Sequence, residues 1–201
     1  MANTTTLRAK TIMVAVVALA IVASIGIGIY SYTKSSSSSS NTNVVAAQKE
    51  DIPKAPNFNL KTVDGKQVSL QSFKGKPLVL WFMATWCTSC VDSASAIKQV
   101  KSQYNDKLNV LVIDLWSTQS IGGSSAQGLN AETEKDLQDF LAKFGSPQWN
   151  AALDTDKATI KYGINQVDSM VLVDGNGNIV FKNLGPPGYQ LLKDAVSKVV
   201  V

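Results

Sequence analysis

Histidine is absent from the 201 residues, cysteine occurs only twice, and Arg8 is the single arginine. Without histidine, no mechanism built on an imidazole base or ligand is open to the chain. Two cysteines are too few to staple a small secreted scaffold, and a zinc ribbon's four Cys or His donors are not there. A peroxidatic cysteine works within a Thr and Arg constellation, which one arginine near the amino terminus does not provide. An excess of positive charge is also missing where it would matter. The formal charge is +4, but residues 1–40 carry Arg8, Lys10 and Lys34 with no acid, which leaves 16 basic against 15 acidic groups beyond them. Nucleic-acid binding needs surplus Lys and Arg to neutralise phosphates, so that class is excluded. A composition 45% hydrophobic and 17% charged excludes a disordered chain.

What is present divides into four stretches. Thr11 to Tyr30 is an uncharged apolar run of 20 residues. As a helix it would span about 30 Å, the hydrocarbon thickness of a bilayer. It is longer than the apolar region of a cleavable signal peptide and has no clear small-x-small site, so residues 11–32 are predicted to be an uncleaved anchor. Arg8 and Lys10 hold residues 1–10 in the cytoplasm, and Tyr30 and Tyr32 suit the headgroup zone. Residues 33–50 contain the serine run Ser35 to Ser40 and read as a flexible tether. Residues 51–201 then form one extracytoplasmic domain.

That domain reads as α/β. Phe58 to Leu60 and Gln67 to Leu70 flank the turn Asp64-Gly65. Pro77 to Met83 is a continuous apolar run that fits a central strand covered on both faces. A helix follows through Ala94, Ile97, Val100 and Tyr104, ending near Asn105. Leu108 to Leu115 is a second buried strand. Ala131 to Phe144 has a helical period, stopped by Gly145 and Pro147. Ser169 to Val173 and Asn178 to Phe181 straddle Asp174 to Gly177 as a hairpin, and Tyr189 to Val200 is a closing helix. The Gly- and Ser-rich interval Ser117 to Asn130 follows a strand's carboxy end, an edge where loops border sites in α/β sheets. A substrate-contacting loop and a surface insertion are both open readings.

The chemistry concentrates in Trp86-Cys87-Thr88-Ser89-Cys90, between the apolar strand and a helix. Cys87 would sit at the helix amino terminus, where unpaired N–H groups favour a thiolate. It is therefore the predicted attacking sulfur. Cys90, one turn further in, would resolve a mixed disulfide with a protein substrate. A merely structural cystine is a weak alternative, because so short a loop removes little chain entropy.

The run Lys76 to Cys90 (KPLVLWFMATWCTSC), Ala152 to Asp156, Tyr162-Gly163-Ile164 and Val171 to Gly177 together resemble the thioredoxin superfamily, and more narrowly its membrane-anchored TlpA/ResA-type thiol–disulfide oxidoreductases. The resemblance covers about residues 52–201. It implies a thioredoxin-like fold with a central mixed β-sheet flanked by helices, preceded by one transmembrane helix. It also implies exchange with protein thiols or disulfides and recycling by a redox partner, with no cofactor and no metal. Trp86, Thr88, Ser89, Val167 and Asp168 are then the residues expected to meet substrate.

Three positions depart from the family. Its Thr-Pro pair with a cis proline is Val167-Asp168 here, and a cis bond before a non-proline residue costs about 3–4 kcal/mol, so a trans or strained loop is expected. Its glutamate three residues after the second cysteine is Ser93. The buried acid of thioredoxins proper, six residues before the first cysteine, is Trp81. Asp168 is the candidate replacement proton acceptor for Cys90, the other reading being a solvated loop residue. An aspartate at this point also resembles Sco-type copper chaperones, so a Cu(I) site with Met170 is the alternative function, although Ser169 stands where that family has histidine. Met170 packed in the core is the competing reading.

Overall fold

The computed structural model describes residues 52–116 and 131–200. All of them belong to one unit, Glu50–Val201. The expected amino terminus, anchor and tether, and the interval Ser117 to Asn130, lie outside the described residues. Among the described residues no helix is long and apolar enough to cross a membrane.

Among the described residues seven strands and four α-helices follow in the order β1 (Asn59–Lys61), β2 (Gln67–Ser69), β3 (Leu78–Met83), α1 (Thr88–Tyr104), β4 (Asn109–Asp114), α2 (Glu134–Lys143), β5 (Asn150–Leu153), α3 (Ala158–Lys161), β6 (Ser169–Val173), β7 (Ile179–Asn183) and α4 (Gly188–Ser197). The main sheet has the order β5-β4-β3-β6-β7. β3 pairs in parallel with β4, which pairs in parallel with β5. β6 runs antiparallel to β3, and β7 antiparallel to β6. This is a mixed sheet of the thioredoxin-like kind.

Every residue of β3 and β6 is buried, which explains why their sequences are apolar runs without alternation. Adjacent residues of a strand point to opposite faces. Trp81 meets the ring of Phe140 from α2 at 6.2 Å between centroids, and Phe82 meets Tyr162 at 5.8 Å. Both faces of the sheet are therefore covered by aromatic contacts. β7, at the edge, returns to half-buried and exposed alternation. α1 and α4 pack on one another.

Two short elements were not read from the sequence. β5 has the weakly strand-forming sequence NAAL, and it is held by β4 and by backbone bonds from the β1–β2 hairpin such as Val63 N to Ala151 O at 2.8 Å. α3, only four residues long, depends on buried Asp154, whose carboxylate accepts from Ala158 N at 2.6 Å and Thr159 N at 2.9 Å, and from the Thr159 hydroxyl. Such tertiary support carries no hydrophobic period. α2, by contrast, starts with a capping box. Thr133 accepts from Asp136 N, and the Asp136 carboxylate accepts from Thr133 N at 2.8 Å. In the β6–β7 turn, Gly175 lies so close to Gly75 that a Cβ would stand 3.0 Å from its carbonyl carbon. Any side chain there would push the Gly75 backbone away by a few tenths of an ångström.

Candidate active site at the strand-to-helix junction

β3 ends at Met83, and the chain turns through Ala84 to Trp86 before α1 begins at Thr88. Cys87 is the N-cap, with extended backbone (φ −75°, ψ 114°) and no side-chain capping bond. The turn is closed by Cys87 N donating to Ala84 O at 3.1 Å. The first amides of α1 thus point toward the end of the helix that bears Cys87.

Cys87 and Cys90 form a disulfide with their Cα atoms 5.3 Å apart. Their coverage is unequal. Cys87 keeps 7% of its surface and Cys90 keeps none. Beside them Trp86 is 40% exposed, Thr88 is exposed, and Ser89 is half-buried with its hydroxyl 3.4 Å from Cys87 Sγ. Three of the residues expected at a docking surface therefore lie beside the more accessible sulfur.

The two flanks of the pair each carry a buried acid. On the β6 side, Asp168 is 1% exposed and takes a left-handed backbone (φ 62°), and the described residues contain no cis peptide bond. It is not a solvated loop residue. One donor atom from each of Cys87, Cys90 and Asp168 falls within 4.8 Å of the others. Asp168 Oδ1 accepts from Trp81 Nε1 at 2.9 Å, whereas Oδ2 is buried with no hydrogen-bond partner. The tryptophan that replaces the usual buried acid of β3 thus orients an acid arriving from a different strand. Val167, next to it, is half-buried.

On the β4 side, sequence reasoning missed two residues. Glu132 accepts from Thr85 N through both oxygens, at 2.7 and 2.9 Å, from the Thr85 hydroxyl, and from Trp86 N at 3.2 Å. It clamps the turn that presents Cys87. Its partner is Asp114 at the end of β4, fully buried, which accepts from Trp116 N at 2.8 Å. Burial, and next the charge of Glu132, push the Asp114 carboxyl up to about 8, so at neutral pH it holds its proton. Trp116 in turn meets Trp86 edge to face at 5.0 Å. An aspartate ending the apolar run of β4 was the available signal for this pair. Glu132 gave none, since it follows a long polar interval.

Met170, the thioether considered for Cu(I), is fully buried in β6 opposite Trp81 and belongs to the core. Ser93, at the family's glutamate position, is buried and carries no charge to offer.

A cystine at the amino terminus of the helix that follows the central strand of a mixed sheet defines a thioredoxin-superfamily dithiol protein of the TlpA/ResA-like kind. Residues 51–197 match the family model described as Redoxin, and the chain belongs to that family. It is 26% identical over 144 residues to the thiol-disulfide oxidoreductase ResA of Bacillus subtilis, covering 68% of this chain and 70% of that one. It is 41% identical over 66 residues to the thioredoxin-like protein YneN of Bacillus subtilis, a match that spans 33% of this chain and 39% of YneN. A thioredoxin-like protein from Aeropyrum pernix superposes with a TM-score of 0.65 at 27% identity, covering 71% of this chain and 89% of that structure.

Proposed function

We propose that this thiol–disulfide oxidoreductase of the thioredoxin superfamily acts on protein thiols or disulfides outside the cytoplasm, held to the membrane by residues 11–32. The observation that carries the mechanism is the unequal covering of the two sulfurs at a helix amino terminus. In the reducing direction the Cys87 thiolate attacks a substrate disulfide, forming a mixed disulfide and releasing one substrate thiolate. The Cys90 thiol then gives its proton to Asp168 and attacks Cys87 Sγ, which forms the cystine and frees the second substrate thiolate. Two electrons pass to the substrate, and a recycling dithiol partner returns them. The oxidising direction runs through the same steps in reverse.

Trp86, Thr88, Ser89 and Val167 form the contact surface for this exchange. The amides of Thr88 and the residues after it stabilise charge on Cys87. Copper delivery with Met170 as a ligand draws no support, because Met170 is packed in the core.

The test is capture. Cys90→Ser stops the second step, so the variant accumulates covalent complexes with substrate proteins that reducing agent dissolves. A variant that captures no protein in membranes of the source cell, while the Cys87→Ser/Cys90→Ser chain behaves identically, refutes the exchange reading.

A further inference from the structure

The reduced site faces an electrostatic problem that the oxidised site does not. Breaking the cystine places two thiols beside a buried carboxylate, all three donor atoms having been within 4.8 Å of one another. Among the described residues Asp168 takes part in no ion pair, and its only hydrogen-bond donor is Trp81 Nε1, on Oδ1. Oδ2 has none. A left-handed backbone at a non-glycine residue costs about 1–3 kcal/mol, and here that conformation accompanies a carboxylate brought against the sulfurs. Negative charge in this space needs a positive partner.

We propose that the reduced form binds one thiophilic divalent cation, of which Zn²⁺ is the probe, through Cys87 Sγ, Cys90 Sγ and Asp168 Oδ2. The site requires reduction of the cystine.

Dimensions support this. Zn–S bonds of about 2.3 Å in a tetrahedral arrangement set two thiolates about 3.8 Å apart, and a Zn–O bond of about 2.0 Å places the carboxylate oxygen at a similar distance. The donors already lie within that range plus about 1 Å. Two thiolates select a borderline or soft cation over Mg²⁺ or Ca²⁺, which take oxygen. Three protein donors leave the fourth position to water, on the side where Cys87 retains exposure. This differs from the zinc ribbon excluded by composition, which needs four protein donors.

Charge and atoms balance. Binding of Zn²⁺ by the Cys87 thiolate, the Cys90 thiol and the Asp168 carboxylate releases one proton, from Cys90. Oxidation by a substrate disulfide forms the Cys87–Cys90 bond, passes two electrons to the substrate as two thiolates, and expels Zn²⁺, because a cystine offers no thiolate. Metal occupancy and redox turnover are thus mutually exclusive at this site.

The test uses the full-length chain in detergent, reduced without oxygen, and titrated with Zn²⁺ against a chromophoric chelator. The expected result is one Zn²⁺ per reduced chain, none per oxidised chain, and about one proton released per metal near neutral pH. Asp168→Ala and Asp168→Asn are each expected to weaken binding by at least about tenfold. Asp168→Asn keeps an acceptor for Trp81 Nε1, and a retained melting transition separates loss of a ligand from loss of fold. Unchanged affinity in both variants overturns the proposal, as does binding no stronger than that of the Cys87→Ser/Cys90→Ser chain, or equal binding by the oxidised protein. Failure of the capture experiment with Zn²⁺ still bound would refute the exchange reading and leave this site standing. The opposite pair of results would do the reverse.

Discussion

The site has two acidic flanks, and they differ in how their oxygens are used. Glu132 accepts four hydrogen bonds from Thr85 and Trp86, and its charge, after burial, helps keep Asp114 behind it protonated. Asp168 accepts one, from Trp81, and leaves Oδ2 bare beside the sulfurs. A carboxylate saturated by backbone amides cannot change its protonation without releasing the chain it holds. A carboxylate with a bare oxygen can take a proton or a cation at little structural cost. On the mechanism proposed above, the β4 flank holds the turn before Cys87 and the β6 flank takes part in its chemistry.

Glu132→Ala should break the comparison most strongly. It leaves the Thr85 and Trp86 amides without their acceptor, and bonds to a charged group contribute about 1.5–3 kcal/mol each when lost. The expected outcome is a loss of about 3 kcal/mol in denaturant unfolding, with disulfide reductase activity falling by about tenfold or more. Asp168→Asn should show the converse. Its stability stays within about 1 kcal/mol of the parent, since Trp81 keeps an acceptor. Resolution of a preformed Cys87 mixed disulfide, followed by stopped-flow release of a labelled thiol, slows by about 100-fold. If both variants lose stability equally and activity equally, the division between the flanks is wrong.

A third measurement separates Asp114 from Glu132. Because the folded carboxyl is raised from 3.8 to about 8, the native state binds more protons than the unfolded one between those values. Its contribution to stability is full below about pH 4 and is lost as pH rises through 8. Relative to Asp114→Asn the parent should lose stability at up to about 1.4 kcal/mol per pH unit between pH 5 and pH 8, as read from urea midpoints across pH. The amide of the variant imitates the protonated acid and offers Glu132 a donor at every pH. Parallel pH profiles for the two proteins would mean that the folded chain does not hold Asp114 protonated.

The parts of this picture that were legible in sequence are those with local signals. β3 announced itself as LVLWFM because burial on both faces removes alternation. The spacing of Cys87 and Cys90 located the junction, and turn residues marked both hairpins. β5 and α3 were missed because their stability comes from neighbours, through β4, Val63 and Asp154, rather than from their own residues. The helices were read slightly long, α4 ending at Ser197 and α2 at Lys143, where the periodicity ran on into capping and tail residues. Glu132 was invisible for a different reason. Its role depends on reaching Thr85, 47 positions away, and no spacing rule connects a residue after Asn130 to a turn before Cys87. Asp168 was singled out because it stood where proline was expected, yet its burial and its bond to Trp81 are facts of the folded chain alone.

β6 runs antiparallel to β3, with Ser169 opposite Phe82. That direction of travel delivers the loop before β6 to the very end of β3 from which the cysteines emerge. Position 168 is consequently a single-letter port into the reaction centre, lying outside the CxxC segment and outside the sheet that keeps the protein folded. A substitution there changes what the sulfurs face while leaving every strand pairing of the sheet in place.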